Sequence, residues 1–122
     1  MPTDIISTLP QVVADYLLAC NNHDAQALMA TFAADAFVND AGREFLDRAT
    51  IKAWLTTEIV GPKVTMEVTE ATVRQHAVIV RAKIDGEYDN AGLPNPLVLA
   101  FHFGVADGEI AQLVITLNKP SH

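Results

Sequence analysis

The acidic residue with the best claim to chemistry is Asp40, set in the turn-forming run Asn39-Asp40-Ala41-Gly42. It follows the strand-like pair Phe37-Val38 and precedes a segment with Ile51, Trp54 and Leu55 at helical spacing. A carboxylate at a strand end, close to an aromatic-bearing helix, is one way to build the mouth of a pocket. Proton abstraction beside a carbonyl needs such a group, poorly solvated so that it keeps a useful basicity. The same four residues also make a sound hairpin loop, in which Asp40 is turn chemistry alone. A stripe of Leu97, Leu99, Phe101 and Phe103 supplies the apolar counterpart. Together with Trp54, Met66, Val80 and Ile84 it forms a hydrophobic chamber of the kind that takes small molecules, or a completely filled core.

Other chemistries find less support. His23, His76, His102 and His122 fall at a helix break, a turn, an outward strand position and the terminus, without the convergent spacing a metal needs. No metal and no cofactor is therefore expected. Cys20 lies on a helical stripe and reads as a small buried apolar residue. There is no glycine-rich phosphate loop and no nucleophile elbow. A net charge of −7 argues against nucleic acid and against an anionic membrane surface. No apolar run approaches the roughly 20 residues of a membrane span. Met1-Pro2-Thr3-Asp4 lacks the features of a signal peptide, and a lone cysteine requires no oxidising compartment, so the cytoplasm is expected.

The elements that must position these residues follow from periodicity. Thr8-Leu9-Pro10-Gln11 opens a helix, with Thr8 as cap and Gln11 completing a capping box. Val12, Val13, Tyr16, Leu17 and Cys20 form its apolar stripe. Asn21-Asn22-His23 breaks it, and Asp24 caps a short second helix with Leu28, Met29 and Phe32 inward. Ala33-Ala34-Asp35 links to a hairpin whose strands carry Phe37-Val38 and Phe45-Leu46. Asp47 then caps a third helix that stops at Gly61-Pro62. Beyond it the period becomes two. Strands cover 63–74, Val78 to Asp85, Leu97 to Val105 and Ile110 to about Leu117, with a loop over 87–96. Gln75-His76 and Asp107-Gly108 are turns. The phase of Ile110, Leu113 and Ile115 slips once, which places a bulge near Ala111-Gln112. Three helices interleaved with a short hairpin, then four long strands in an antiparallel meander, make one α+β domain over residues 1–122.

Several of these segments, in this order, resemble the nuclear transport factor 2-like superfamily. They are the Tyr16-to-Asn21 helix, the Asn-His-Asp break, Phe32 to Asp40, the Ala49-to-Leu55 helix and the Asp107-to-Ile110 hairpin. Within it the chain is similar to SnoaL-like polyketide cyclases and to ketosteroid isomerase. The resemblance implies a cone, a curved mixed or antiparallel sheet wrapped around helices with an internal apolar pocket, and a homodimer formed through the outer sheet face. It also implies roles. Tyr16 aligns with the tyrosine that donates to a developing enolate, and Asp40, at the matching separation, with the general base. The isomerase's protonated aspartate aligns with Phe101, which cannot donate a hydrogen bond. The expected functions are therefore a cofactor-independent isomerase or cyclase for an apolar carbonyl compound, a non-catalytic pocket for an apolar ligand, or a dimeric interaction module.

Overall fold

In the computed structural model, residues 8–75, 77–88, 92–93 and 96–117 are described. Helix α1 spans Gln11–Asn21 and α2 spans Ala25–Ala30. Strand β1 (Phe32–Asp40) and β2 (Arg43–Phe45) form the hairpin, followed by α3 (Arg48–Trp54). A π-helical segment, Leu55–Val60, continues directly from α3. Strands β3 (Thr65–Arg74), β4 (Ala77–Asp85), β5 (Leu97–Ala106) and β6 (Glu109–Leu117) complete the chain. The sheet order is β2-β1-β6-β5-β4-β3. All pairs are antiparallel except β1 with β6, so the sheet is mixed and the fold is α+β.

The helices cover one sheet face, and the alternation of the strands decides which side chains meet them. Ala36 and Val38 of β1, Val78, Val80 and Ala82 of β4, Phe101 and Phe103 of β5 and Leu113 and Ile115 of β6 are all buried there. The α1 stripe lies across them, with Val13 and Tyr16 fully enclosed. Burying such side chains contributes roughly 1.5–3 kcal/mol each, which is why a short α1 with little intrinsic stability persists here.

Local signals explain most boundaries. The Asp24 carboxylate accepts from the Ala27 amide at 3.0 Å, and Asp47 forms a reciprocal capping box with Thr50. Two turns adopt consecutive positive φ values, Ala41-Gly42 (54° and 89°) and Asp107-Gly108 (53° and 75°). That geometry matches the twist of the flanking strands in two-residue hairpins. The expected bulge is present: Gly104 pairs with Gln112 and Val105 with Ile110, which leaves Ala111 as the extra residue. Gly104 leaves room for the side chain that covers it, since a Cβ there would lie 2.7 Å from Cγ of Gln112.

Some expectations are corrected. Pro10, not Thr8, is the N-cap of α1, and no side chain caps it. The Gln11 side-chain amide donates to Asp15 at 2.8 Å. Phe32 and the supposed link Ala33-Ala34-Asp35 belong to β1, because pairing with β6 extends that strand back to Phe32. Leu46 lies beyond β2 and is largely exposed. His76 and much of 87–96 fall outside the described residues.

Candidate functional site

Asp40 is the last residue of β1 and continues the inward-facing set Ala36, Val38. Strand alternation therefore aims its carboxylate at the interior end of the sheet. Its side chain remains about one-fifth exposed. Two donors hold the same oxygen: the Trp54 indole Nε1 at 3.0 Å and an Arg43 guanidinium nitrogen at 3.1 Å, both on Oδ2. Among the described residues nothing donates to Oδ1. One carboxylate oxygen is thus anchored and the other is open.

Arg43 is shared. Its guanidinium forms a two-pronged contact with Glu58, at 2.8 and 2.6 Å, while also touching Asp40, and it lies 5.6 Å from the centre of the Phe45 ring. These contacts, the Glu58 hydrogen bond foremost, raise the Arg43 pKa further and keep it cationic. Glu58 reaches this position from the π-helical segment, whose wider turn shifts the phase of the residues after Leu55.

The three charged residues stand at one end of a cleft of about 630 Å³. Its walls are mainly apolar, with Ile84, Leu99, Phe101 and Ile115 from the sheet and Ile59 and Val64 from the segment after α3. Register explains the grouping. Asp40 pairs with Ile115, Ile115 with Phe101 and Phe101 with Val80, one row across four strands. Phe101, where a hydrogen-bond donor would stand in the isomerase pattern, lies on Asp40's own row.

The residues singled out from the sequence divide between cleft and core. Asp40, Ile84, Leu99 and Phe101 line the cleft. Trp54, Met66, Val80 and Phe103 are buried in the packed interior behind it and do not line it. Trp54 nonetheless reaches the site through its indole N–H. Tyr16 also lies in the interior, fully enclosed, with Phe32 and Phe103 rings edge-on at 6.1 and 5.3 Å. Phe103 stacks in turn on Phe101, a ring of the cleft wall, at 6.4 Å, and Tyr16 itself does not line the cleft. Burial pushes the Tyr16 phenol well above its ordinary pKa, with the Cys20 thiol and the Asp40 carboxylate adding to the shift. Asp40 is thus within electrostatic reach of the phenol, although the phenol does not reach the cleft.

Arg43, Glu58, Thr57 and Ile115 line the site without having been expected there. No local pattern marks the first two, since the Arg43–Glu58 contact depends on the π-helical phase. Ile115 carried a signal, since it alternates with Leu113 in a half-buried strand. Among the described residues no group of His, Cys, Asp and Glu could hold a metal ion. His102 faces the other side of the sheet, 3.4 Å from the Thr116 hydroxyl. Among the described residues no helix is long and apolar enough to cross a membrane.

Known structures share this architecture. A protein from Sinorhizobium meliloti named as a polyketide cyclase is 32% identical, with a TM-score of 0.81 over 91% of this chain and 98% of that one. A protein of ketosteroid isomerase-like fold from Catenulispora acidiphila, solved in complex with trimethylamine, is 23% identical with a TM-score of 0.74, covering 89% and 86%. The epoxide hydrolase/cyclase-like enzyme SalBIII, of pyran ring formation in salinomycin, is 20% identical with a TM-score of 0.74, covering 97% and 95%. No functionally curated protein matches the chain. The model of the SnoaL-like domain matches residues 13–113, and with these neighbours of the same fold the chain belongs to the SnoaL-like family.

Proposed function

We propose that this protein carries out acid/base chemistry, of the isomerase or cyclase kind, on a compact and largely apolar small molecule held in the cleft, with Asp40 as the proton acceptor. The observation that carries this reading is the state of the Asp40 carboxylate. Oδ2 is fixed by Trp54 and Arg43, nothing among the described residues donates to Oδ1, and the cleft that Asp40 lines is mainly apolar. A base held in one orientation beside a poorly hydrated substrate needs little reorganisation before it takes a proton. The names of the related structures, a polyketide cyclase and an epoxide hydrolase/cyclase-like enzyme, are compatible with such chemistry without selecting a reaction. No cofactor enters this scheme.

The contribution expected of Tyr16 is reduced on this reading. A phenol behind Phe101 and Phe103 supports the shape and electrostatics of the site and does not touch the substrate. Stabilisation of a developing oxyanion then falls to groups on the cleft wall, among them the Thr57 hydroxyl.

The test uses 5-nitrobenzisoxazole, whose ring opening requires only removal of one carbon-bound proton and releases a coloured phenolate. The wild type is expected to accelerate the opening, Asp40→Asn to lower the rate by about 10²-fold or more, and Tyr16→Phe to change it little. Equal rates for wild type and Asp40→Asn would exclude Asp40 as the base. A second reading, a pocket that binds an apolar ligand without converting it, is favoured by the phenyl ring at Phe101 and the enclosed Tyr16. It predicts ligand binding with no turnover in the same assay.

A further inference from the structure

The polar end of the cleft has a charge balance that selects among ligands. Two carboxylates, Asp40 and Glu58, face a single guanidinium, and Arg43 is the one cation among the described residues that line the cleft. Three of its five N–H donors are engaged: Nη1 donates to Glu58 Oε2, and Nη2 donates to both Glu58 Oε1 and Asp40 Oδ2. An incoming carboxylate would find this guanidinium already neutralised by Glu58 and would meet two like charges beside it. The open acceptor, Asp40 Oδ1, offers the opposite: a hydrogen-bonding site for a donor, inside a region carrying one net negative charge. Phe101 adds an aromatic ring to the same cleft, a surface that also favours cations. The net charge of −7 on the whole chain acts in the same direction at long range.

We infer that the cleft takes an apolar molecule bearing an amine, its ammonium set against the paired carboxylates of Asp40 and Glu58 and its hydrocarbon body lying against Leu99, Phe101 and Ile115. This deepens the reading of the cleft as the binding site and rests on it. It adds that the ligand is a cation with an apolar body, and that anions of the same shape are rejected.

Three rigid probes of nearly equal size separate the possibilities by calorimetry at neutral pH: 1-adamantanemethylamine, 1-adamantanemethanol and 1-adamantanecarboxylate. The amine is expected to bind about tenfold or more tighter than the alcohol, and the carboxylate weakest. Asp40→Asn and Glu58→Gln are each expected to shrink the preference for amine over alcohol. Glu58→Gln, which frees donors on Arg43, is also expected to improve binding of the carboxylate. A carboxylate that binds as well as the amine overturns the inference while leaving the cleft as the site, since the alcohol would still bind. An amine preference untouched by both substitutions also overturns it, assigning the preference to the overall charge of the chain. Failure of all three probes removes the inference and the binding site together. The 5-nitrobenzisoxazole assay reads the base role independently of all these outcomes.

Discussion

The contact between Trp54 and Asp40 can be measured as a coupling energy. Trp54 is only 2% exposed and its indole N–H reaches Asp40 Oδ2 at 3.0 Å, joining α3 to the end of β1. Hydrogen bonds to charged groups contribute about 1.5–3 kcal/mol. Trp54→Phe removes this bond and leaves a small cavity beside Phe45, whose ring centre lies 5.8 Å away, for a total loss of about 3 kcal/mol. Asp40→Ala leaves the indole N–H without its acceptor while Arg43 keeps Glu58, at a cost of about 2 kcal/mol. Because the two substitutions delete one shared interaction, the double variant should lose less than their sum, by about 1–2 kcal/mol. Urea unfolding followed by far-ultraviolet circular dichroism gives all four stabilities, and it does not depend on the single tryptophan. Additivity to within about 0.3 kcal/mol would mean the bond is not formed in solution, and the anchored-carboxylate account would fail with it.

Three further outcomes follow from the same physics. Ala41 carries a φ of 54° in the turn that places Asp40; Ala41→Asn, better suited to that conformation, should stabilise the fold by about 0.5–1 kcal/mol, read as a raised thermal midpoint. Gly104→Ala should cost about 1 kcal/mol as the Gln112 side chain is pushed aside, and the cost should largely vanish in a Gln112→Ala background, both by urea titration. Burial raises the Cys20 thiol from 9.0 to about 12. A raised value in the folded state means stability is intact below pH 9 and is lost as pH climbs toward 12, by up to about 1.4 kcal/mol per unit. Cys20→Ala should flatten that alkaline decline relative to wild type, whereas an unchanged slope would assign it to other groups.

The parts of the fold readable from the sequence are those set by local chemistry. The Asp24 and Asp47 caps, the Asp107-Gly108 turn, the alternation of β3 to β6 and the Ala111 bulge each depend on residues within a few positions of one another. What could not be read is non-local. The parallel pairing of β1 with β6 joins segments far apart in sequence, and it extends β1 into residues that look like a linker. Helix α1 is capped at Pro10 and not at Thr8, and the Gln11 side chain meets Asp15 one turn on. In the site, Asp40 was visible as a carboxylate at a strand end, and register explains why Ile84, Leu99 and Phe101 share its cleft. Arg43 and Glu58 were not visible, because their contact needs the π-helical segment to turn Glu58 back toward the hairpin. Tyr16 shows the reverse. Its helical position is as read, yet its ring is enclosed by Phe32 and Phe103, a packing result that one-dimensional spacing does not encode.

The central claim is that a ligand in the apolar cleft meets the carboxylate of Asp40. The chain has one tryptophan, and its indole N–H is bonded to that carboxylate, so a single indole signal in the ¹⁵N–¹H spectrum reports on it. Titration with 1-adamantanemethylamine should move this signal saturably, at the same concentrations at which calorimetry detects binding. Binding that saturates while the Trp54 indole signal stays fixed would place the ligand elsewhere and contradict the account.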